Sequence, residues 1–359
     1  MTLTPVFPGF VYFLVNQAVF GFSAGGFDVA SNVLVLELWN EKSQPFLQAI
    51  HLCFVVGGTI ASLISSPFVE SDNTTSHHLN NSIATTDTPP QKSDIYIPYL
   101  ITGCVAVISA IIVFVYELMS PHVVPNRTIR RKTERLINES NDTQQESENN
   151  NSIVVDCALL PSSYYYTMIT LSAFLLCFYK MFEFNILTYI TLLVDSFELE
   201  TMETSGSRIV ATFVTVLCVF RFIAIFLSIK LSPAIMLYAS VIILFMSNLV
   251  MFVSGWTTVS IVWVTAGFFG AGCAWIYGAL YTFVEERIDV TNAVAGSYMC
   301  LASLATAIEP LIIGRFIEKN PLLFVYVNFV DVAIVAILFG FLLFTDFWKK
   351  SLLKRNLQP

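Results

Sequence analysis

Nine stretches of this sequence are apolar and long enough to cross a lipid bilayer as helices. They fall at 9–36, 46–68, 98–118, 164–194, 209–229, 233–254, 258–284, 292–313 and 322–345. Barrel strands would show strict alternation over about ten residues, and none of the runs does. Helices satisfy their backbone polar groups within one segment, which lipid requires. The fold class expected is all-α: a polytopic membrane bundle of about nine transmembrane helices.

Composition narrows the function classes. Only 12% of the residues are charged, about half the share in a soluble domain, and the mean hydropathy is +0.70. The lipid bilayer is therefore the main partner. A net charge of −8 gives no basic face, so no nucleic acid is expected. The first run lacks a basic n-region and a small-residue cleavage site, and it is too long for a signal peptide; it reads as a genuine span. Of the seven cysteines, six fall within apolar runs and Cys157 lies in a polar stretch. No CxxC pair and no His/Cys ligand spacing occurs, so they read as packing residues, with no metal centre and no disulfide framework. Neither GxxxxGK[ST] nor HExxH is present. No enzyme activity and no cofactor is expected.

The basic residues set an orientation. Twelve of the 18 Lys and Arg fall in segments 37–45, 119–163, 230–232, 285–291 and 346–359. Placing these segments inside puts the N-terminus outside and the C-terminus in the cytoplasm. Residues 69–97 then form an outer loop, whose sequons at Asn73 and Asn80 are candidate glycosylation sites. Residues 119–163 open basic and end in an Asn/Gln/Glu-rich run, the composition of a disordered cytoplasmic loop. The expected organisation is a three-span bundle at 1–118, this loop, a six-span bundle at 164–345 and a tail at 346–359.

Polar side chains within the spans are the candidate functional residues, because an ionisable group in lipid costs a few kcal/mol unless it meets a polar cavity or a partner. Asp28 and Asn32 are four apart and share a helix face. They read either as lining a cavity that binds a hydroxyl, a proton or Na⁺, or as buried interhelical hydrogen-bonders. Gln48 and His51, three apart, can donate and accept, as a polyol needs; an interhelical role fits equally. Lys180 and Glu183 are spaced to neutralise each other. Arg221 calls for an acidic partner or a free carbonyl. Glu309 precedes Pro310, which frees a carbonyl and bends a helix, so a structural or gating role suits both Arg221 and Glu309. Asp331 is the weakest candidate.

The run Gly21-x3-Gly25-Gly26-Phe27-Asp28-Val29-Ala30-Ser31-Asn32, continuing to Leu38-Trp39, is followed by Pro45-Phe46-Leu47-Gln48-Ala49-Ile50-His51-Leu52-x-Phe54-x2-Gly57. Together they resemble the fourth and fifth helices of the sodium-dependent glucose transporter-like branch of the major facilitator superfamily, which is related to fucose–proton symporters. Tyr179-x3-Glu183-x5-Tyr189, Phe220-Arg221-Phe222 and Pro310-x3-Gly314 are similar, more weakly, to its seventh, eighth and eleventh helices. The resemblance implies a twelve-helix plan from which the first three helices are missing. It implies a sugar carrier working by alternating access, with Na⁺ or H⁺ as coupling ion and a hexose as substrate, in the plasma membrane. It places Asp28, Asn32, Gln48, His51 and Glu183 around the substrate, with Phe27, Trp275 and Tyr277 as stacking walls. Lys180, Phe220 and Glu309 depart from the family's pattern. An alternative of another class is a non-transporting protein on the same fold, binding partners or forming a homo-oligomer.

Overall fold

The computed structural model describes residues 9–80, 96–120, 162–196, 206–255, 258–317 and 319–356. Its helices are α1 (Phe10–Trp39), α2 (Ser43–Asn80), α3 (Tyr96–Met119), α4 (Ser162–Ser196), α5 (Gly206–Leu227), α6 (Pro233–Ser254), α7 (Val259–Cys273), α8 (Ile276–Glu285), α9 (Asn292–Ile317) and α10 (Leu322–Asn356). A short 3₁₀ turn, Asn40–Lys42, joins α1 to α2. Among the described residues nine helical segments are long and apolar enough to cross a membrane, α7 and α8 together making one of them. The expected all-helical, nine-span architecture is the one observed. The expected disordered loop at 119–163 lies almost wholly outside the described residues.

Two compact units divide the chain: Met1–Asp28 with Cys53–Val124, and Val29–Leu52 with Pro125–Pro359. Among the described residues of the first unit many apolar side chains lie at the surface, with Phe22, Phe54 and Met119 each more than three-quarters exposed. Such surface belongs in lipid, where an exposed Phe costs nothing. Its hydroxyls are satisfied locally: Ser23, Thr59, Ser62 and Ser109 each donate to the carbonyl four residues back. One expectation needs revision here. Helix α2 does not end near residue 68: the backbone stays helical through the polar stretch to Asn80. Beyond the apolar slab water can solvate polar side chains, so loss of hydropathy ends the span without ending the helix.

The second unit holds the buried core. Helix α4 packs against α5, α9 and α10, α7 against α5 and α6, and α10 against α6. The buried side chains of α4 recur at helical spacing: Met168, Leu175, Tyr179, Phe182, Ile186, Ile190 and Leu193. Helix α6 starts where Ser232 accepts a hydrogen bond from the Ile235 N–H and Pro233 takes the first helical position. Glycines let α7 approach its neighbours. A Cβ at Gly270 would lie 2.5 Å from the Phe213 carbonyl oxygen of α5, and one at Gly272 2.6 Å from Leu244 Cδ2 of α6.

Candidate functional site

The span Val259–Glu285 is not one helix. The α-helical ladder stops at Cys273 and resumes at Ile276, with Trp275 at φ −119°. An interruption in lipid leaves carbonyls that must find donors. Side chains from two other helices serve the carbonyls of Cys273 and Ala274, and one from a third helix adds to that of Trp275, which already accepts from the Ala279 N–H. Tyr179 Oη of α4 donates to the Cys273 carbonyl at 3.0 Å. Arg221 Nε of α5 donates to the Ala274 carbonyl at 3.2 Å. Gln48 Nε2 of α2 donates to the Trp275 carbonyl at 3.1 Å.

Arg221 does more than cap the break. Its Nη1 donates to the His51 carbonyl at 2.9 Å, and its Nη2 lies 3.4 Å from Glu183 Oε1. The other Glu183 oxygen receives Lys180 Nζ at 2.7 Å. The Lys180 ammonium also sits 4.9 Å from the centre of the Tyr277 ring, a cation–π contact. One carboxylate thus balances two cations, and the guanidinium's flat fork reaches acceptors that a lysine could not span together. Arg221 was expected to need either an acid or a carbonyl; it has both.

The His51 ring packs on Tyr277 with centroids 4.1 Å apart, and Tyr277 stacks on Tyr281. Around this cluster three buried polar atoms have no hydrogen-bond partner: Gln48 Oε1, His51 Nε2 and Trp275 Nε1. Two are on ring nitrogens and one is an amide acceptor. Buried polar atoms of this kind are uncommon unless something else fills the site. Gly278 lets Gln48 reach in, since a Cβ there would lie 2.9 Å from Gln48 Nε2.

The structure therefore brings Gln48, His51, Glu183 and Arg221 together, with Lys180, Trp275 and Tyr277. It does not bring in all the others. Asn32 is fully buried in the same unit, while Asp28, only half-buried, belongs to the other unit. Phe27 is also of that unit and is 71% exposed. Glu309 lies apart, accepting from Asn185 Nδ2 at 3.1 Å. Asn185 is two residues beyond Glu183 and so about 200° around α4. Backbone at Asn73 and Asn80 is helical. Among the described residues no group of three metal-ligating side chains forms.

Two features escaped the sequence reading. The break itself is foreshadowed by Gly270-Ala271-Gly272 just before it and Gly278 just after, residues that weaken a helix and admit close neighbours. Gly21-Phe22-Ser23-Ala24-Gly25 spells a hydrolase nucleophile string. It lies within the continuous α1, where Ser23 Oγ donates to the Val19 carbonyl at 2.9 Å. The strand-to-helix elbow that such a nucleophile needs is not formed there.

Comparison with known proteins agrees with this architecture. Residues 1–310 match the Major Facilitator Superfamily. Over 331 residues the chain is 23% identical to Sodium-dependent glucose transporter 1 of Homo sapiens, covering 89% of this chain and 59% of that protein. A 55-residue segment is 40% identical to Sodium-dependent glucose transporter 1A of Mus musculus, covering 15% of this chain and 13% of the mouse protein. The chain thus spans less than two-thirds of the length of these relatives. The FucP transporter, solved in its outward conformation, has a similar fold: TM-score 0.62 at 13% identity, covering 96% of this chain and 78% of FucP. A second structure, of the E. coli fucose:proton symporter FucP, gives a TM-score of 0.58 at 12% identity, over 88% and 72% of the two chains. The matched profile runs through the first seven spans and most of the eighth, and the chain belongs to the Major Facilitator Superfamily.

Proposed function

We propose that the chain carries a small polar solute of the sugar class across a membrane by alternating access, driven by Na⁺ or H⁺ entry. The observation that carries this reading is the unsatisfied set at the helix break. Gln48 Oε1, His51 Nε2 and Trp275 Nε1 are buried and lack partners. A sugar hydroxyl both donates and accepts, so adjacent hydroxyls of one ring suit such a mixed set. The Trp275 ring, whose Nε1 is one of the three, also offers an aromatic edge to the apolar side of a pyranose. A broken span lined by polar groups is also where transporters of this general kind place their substrates.

The similar proteins named for sodium-dependent glucose transport and for fucose–proton symport favour a hexose. In this reading the Lys180–Glu183–Arg221 cluster holds the break in shape. The protein resides in the plasma membrane, N-terminus outside and C-terminus in the cytoplasm. Uptake of radiolabelled glucose into proteoliposomes of the purified chain, with and without an imposed Na⁺ or pH gradient, tests it. Gradient-stimulated uptake is expected. Uptake no faster than in empty liposomes under every gradient contradicts it and favours the non-transporting alternative.

A further inference from the structure

A second polar cluster lies within the helical unit, away from the break. Asn185 of α4, Glu309 of α9 and Asp331 of α10 meet where these three helices pack. Asn185 is fully buried, Glu309 is 8% exposed and Asp331 2%. The Glu309 and Asp331 carboxyls lie close enough to interact, where α9 and α10 pack on α4 and on each other. Asn328, 2% exposed, lies one turn before Asp331 on the same face of α10. Cys177 and Tyr189 of α4 are the other titratable side chains beside the pair. Among the described residues no Lys or Arg forms a salt bridge with either carboxyl.

Four oxygens of this cluster are buried without a hydrogen-bond partner: Asn185 Oδ1, Glu309 Oε2, Asn328 Oδ1 and Asp331 Oδ2. All four are acceptors. Ionised carboxylates only accept, so two held close together in a buried site favour a state with one proton between them and a single negative charge. That proton bridges one oxygen of each carboxyl and leaves the two amide oxygens, Asn185 Oδ1 and Asn328 Oδ1, without a donor. A further proton would satisfy one more. A hard cation satisfies several oxygens at once, and a monovalent one matches the remaining charge. The two amides add neutral oxygens, which suits a monovalent ion better than a divalent one, for which carboxylates dominate the ligand set.

We infer that Asn185, Glu309, Asn328 and Asp331 form a monovalent-cation site between α4, α9 and α10, separate from the sugar-class site at the helix break, and Na⁺ is the probe for it. Its existence does not require that the chain transport anything. Binding of radioactive Na⁺ to the purified chain, measured without sugar at constant ionic strength, tests it. Saturable binding is expected, competed by unlabelled Na⁺. Glu309→Gln combined with Asp331→Asn keeps the shape and removes the charge. It should weaken binding roughly tenfold or more, the loss that even an outer-shell partner causes. Asn328→Ala, which leaves both carboxyls in place, should weaken it in the same direction and guards against a folding defect in the first variant. No saturable Na⁺ binding overturns the inference. So does wild-type binding in both variants, or a thermal stability that responds to pH but not to Na⁺, which would mark a proton-sharing pair only. Absent glucose uptake with intact Na⁺ binding would count against the transport reading and leave this site standing.

Discussion

Gln48 donates to the main-chain carbonyl of Trp275 at 3.1 Å, joining α2 to the gap in the Val259–Glu285 span. That carbonyl also accepts from the Ala279 N–H at 3.0 Å, so the helix beyond the break does not depend on Gln48. The glutamine is instead held in one orientation, with Oε1 presented unpartnered. Gln48→Leu should therefore leave the melting temperature nearly unchanged. Hexose affinity should fall about five-fold, the equivalent of one hydrogen bond near 1 kcal/mol. Equilibrium binding and thermal denaturation of the same preparation separate the two effects.

Two glycines of the broken span should respond differently to the same added methyl. At Gly270 the Cβ meets the Phe213 carbonyl oxygen at 2.5 Å, which is main chain and cannot swing aside. Gly270→Ala should force α7 off α5 and destabilise by about 1–3 kcal/mol. At Gly278 the Cβ meets only the end of the Gln48 side chain. Gly278→Ala should leave stability close to wild type and reproduce the binding loss of Gln48→Leu. Thermal melts of the two variants, with hexose titration of the second, check this contrast.

Glu183 pairs with both Arg221, whose side chain is 3% exposed, and Lys180. Glu183→Gln removes the charge and leaves the Arg221 guanidinium facing carbonyls alone, a loss on the order of 3 kcal/mol. Adding Arg221→Gln to that variant should cost less than Arg221→Gln does in the wild-type background. A double-mutant cycle read by denaturation gives the coupling. Strict additivity would show that the pair does not act as a unit.

The helical extension of α2 bears on topology. Asn73 lies five residues past residue 68, the expected end of the apolar span, and Asn80 twelve, or about 8 and 18 Å along a helix. The headgroup layer occupies roughly 5–8 Å of that distance. If this end faces outward, Asn80 is the more accessible acceptor, and Asn80→Gln should remove more of the glycosidase-sensitive mass than Asn73→Gln. Electrophoretic mobility before and after glycosidase, from cells that glycosylate, measures it. An inward-facing end would give no shift in either variant.

Hydropathy and length made the nine spans legible, because lipid leaves a chain few options. Polar residues in those spans were legible as candidates for the same reason. Their partners were not. Arg221 reaches the His51 carbonyl 170 residues away along the chain, and no spacing rule encodes such a contact. The gap at Ala274 and Trp275 was hidden because hydropathy sees an unbroken apolar run; only the glycines beside it hint at weakness. Glu309 and Asp331, on different helices, carried no shared signal until packing put them together.

The most direct test of the account is equilibrium binding of tritiated glucose to the purified chain, wild type against Gln48→Leu. The expected result is saturable binding in the wild type that other hexoses compete, weakened about five-fold in the variant. Identical affinity in the two proteins, or no saturable hexose binding in the wild type, would contradict a sugar site at the helix break.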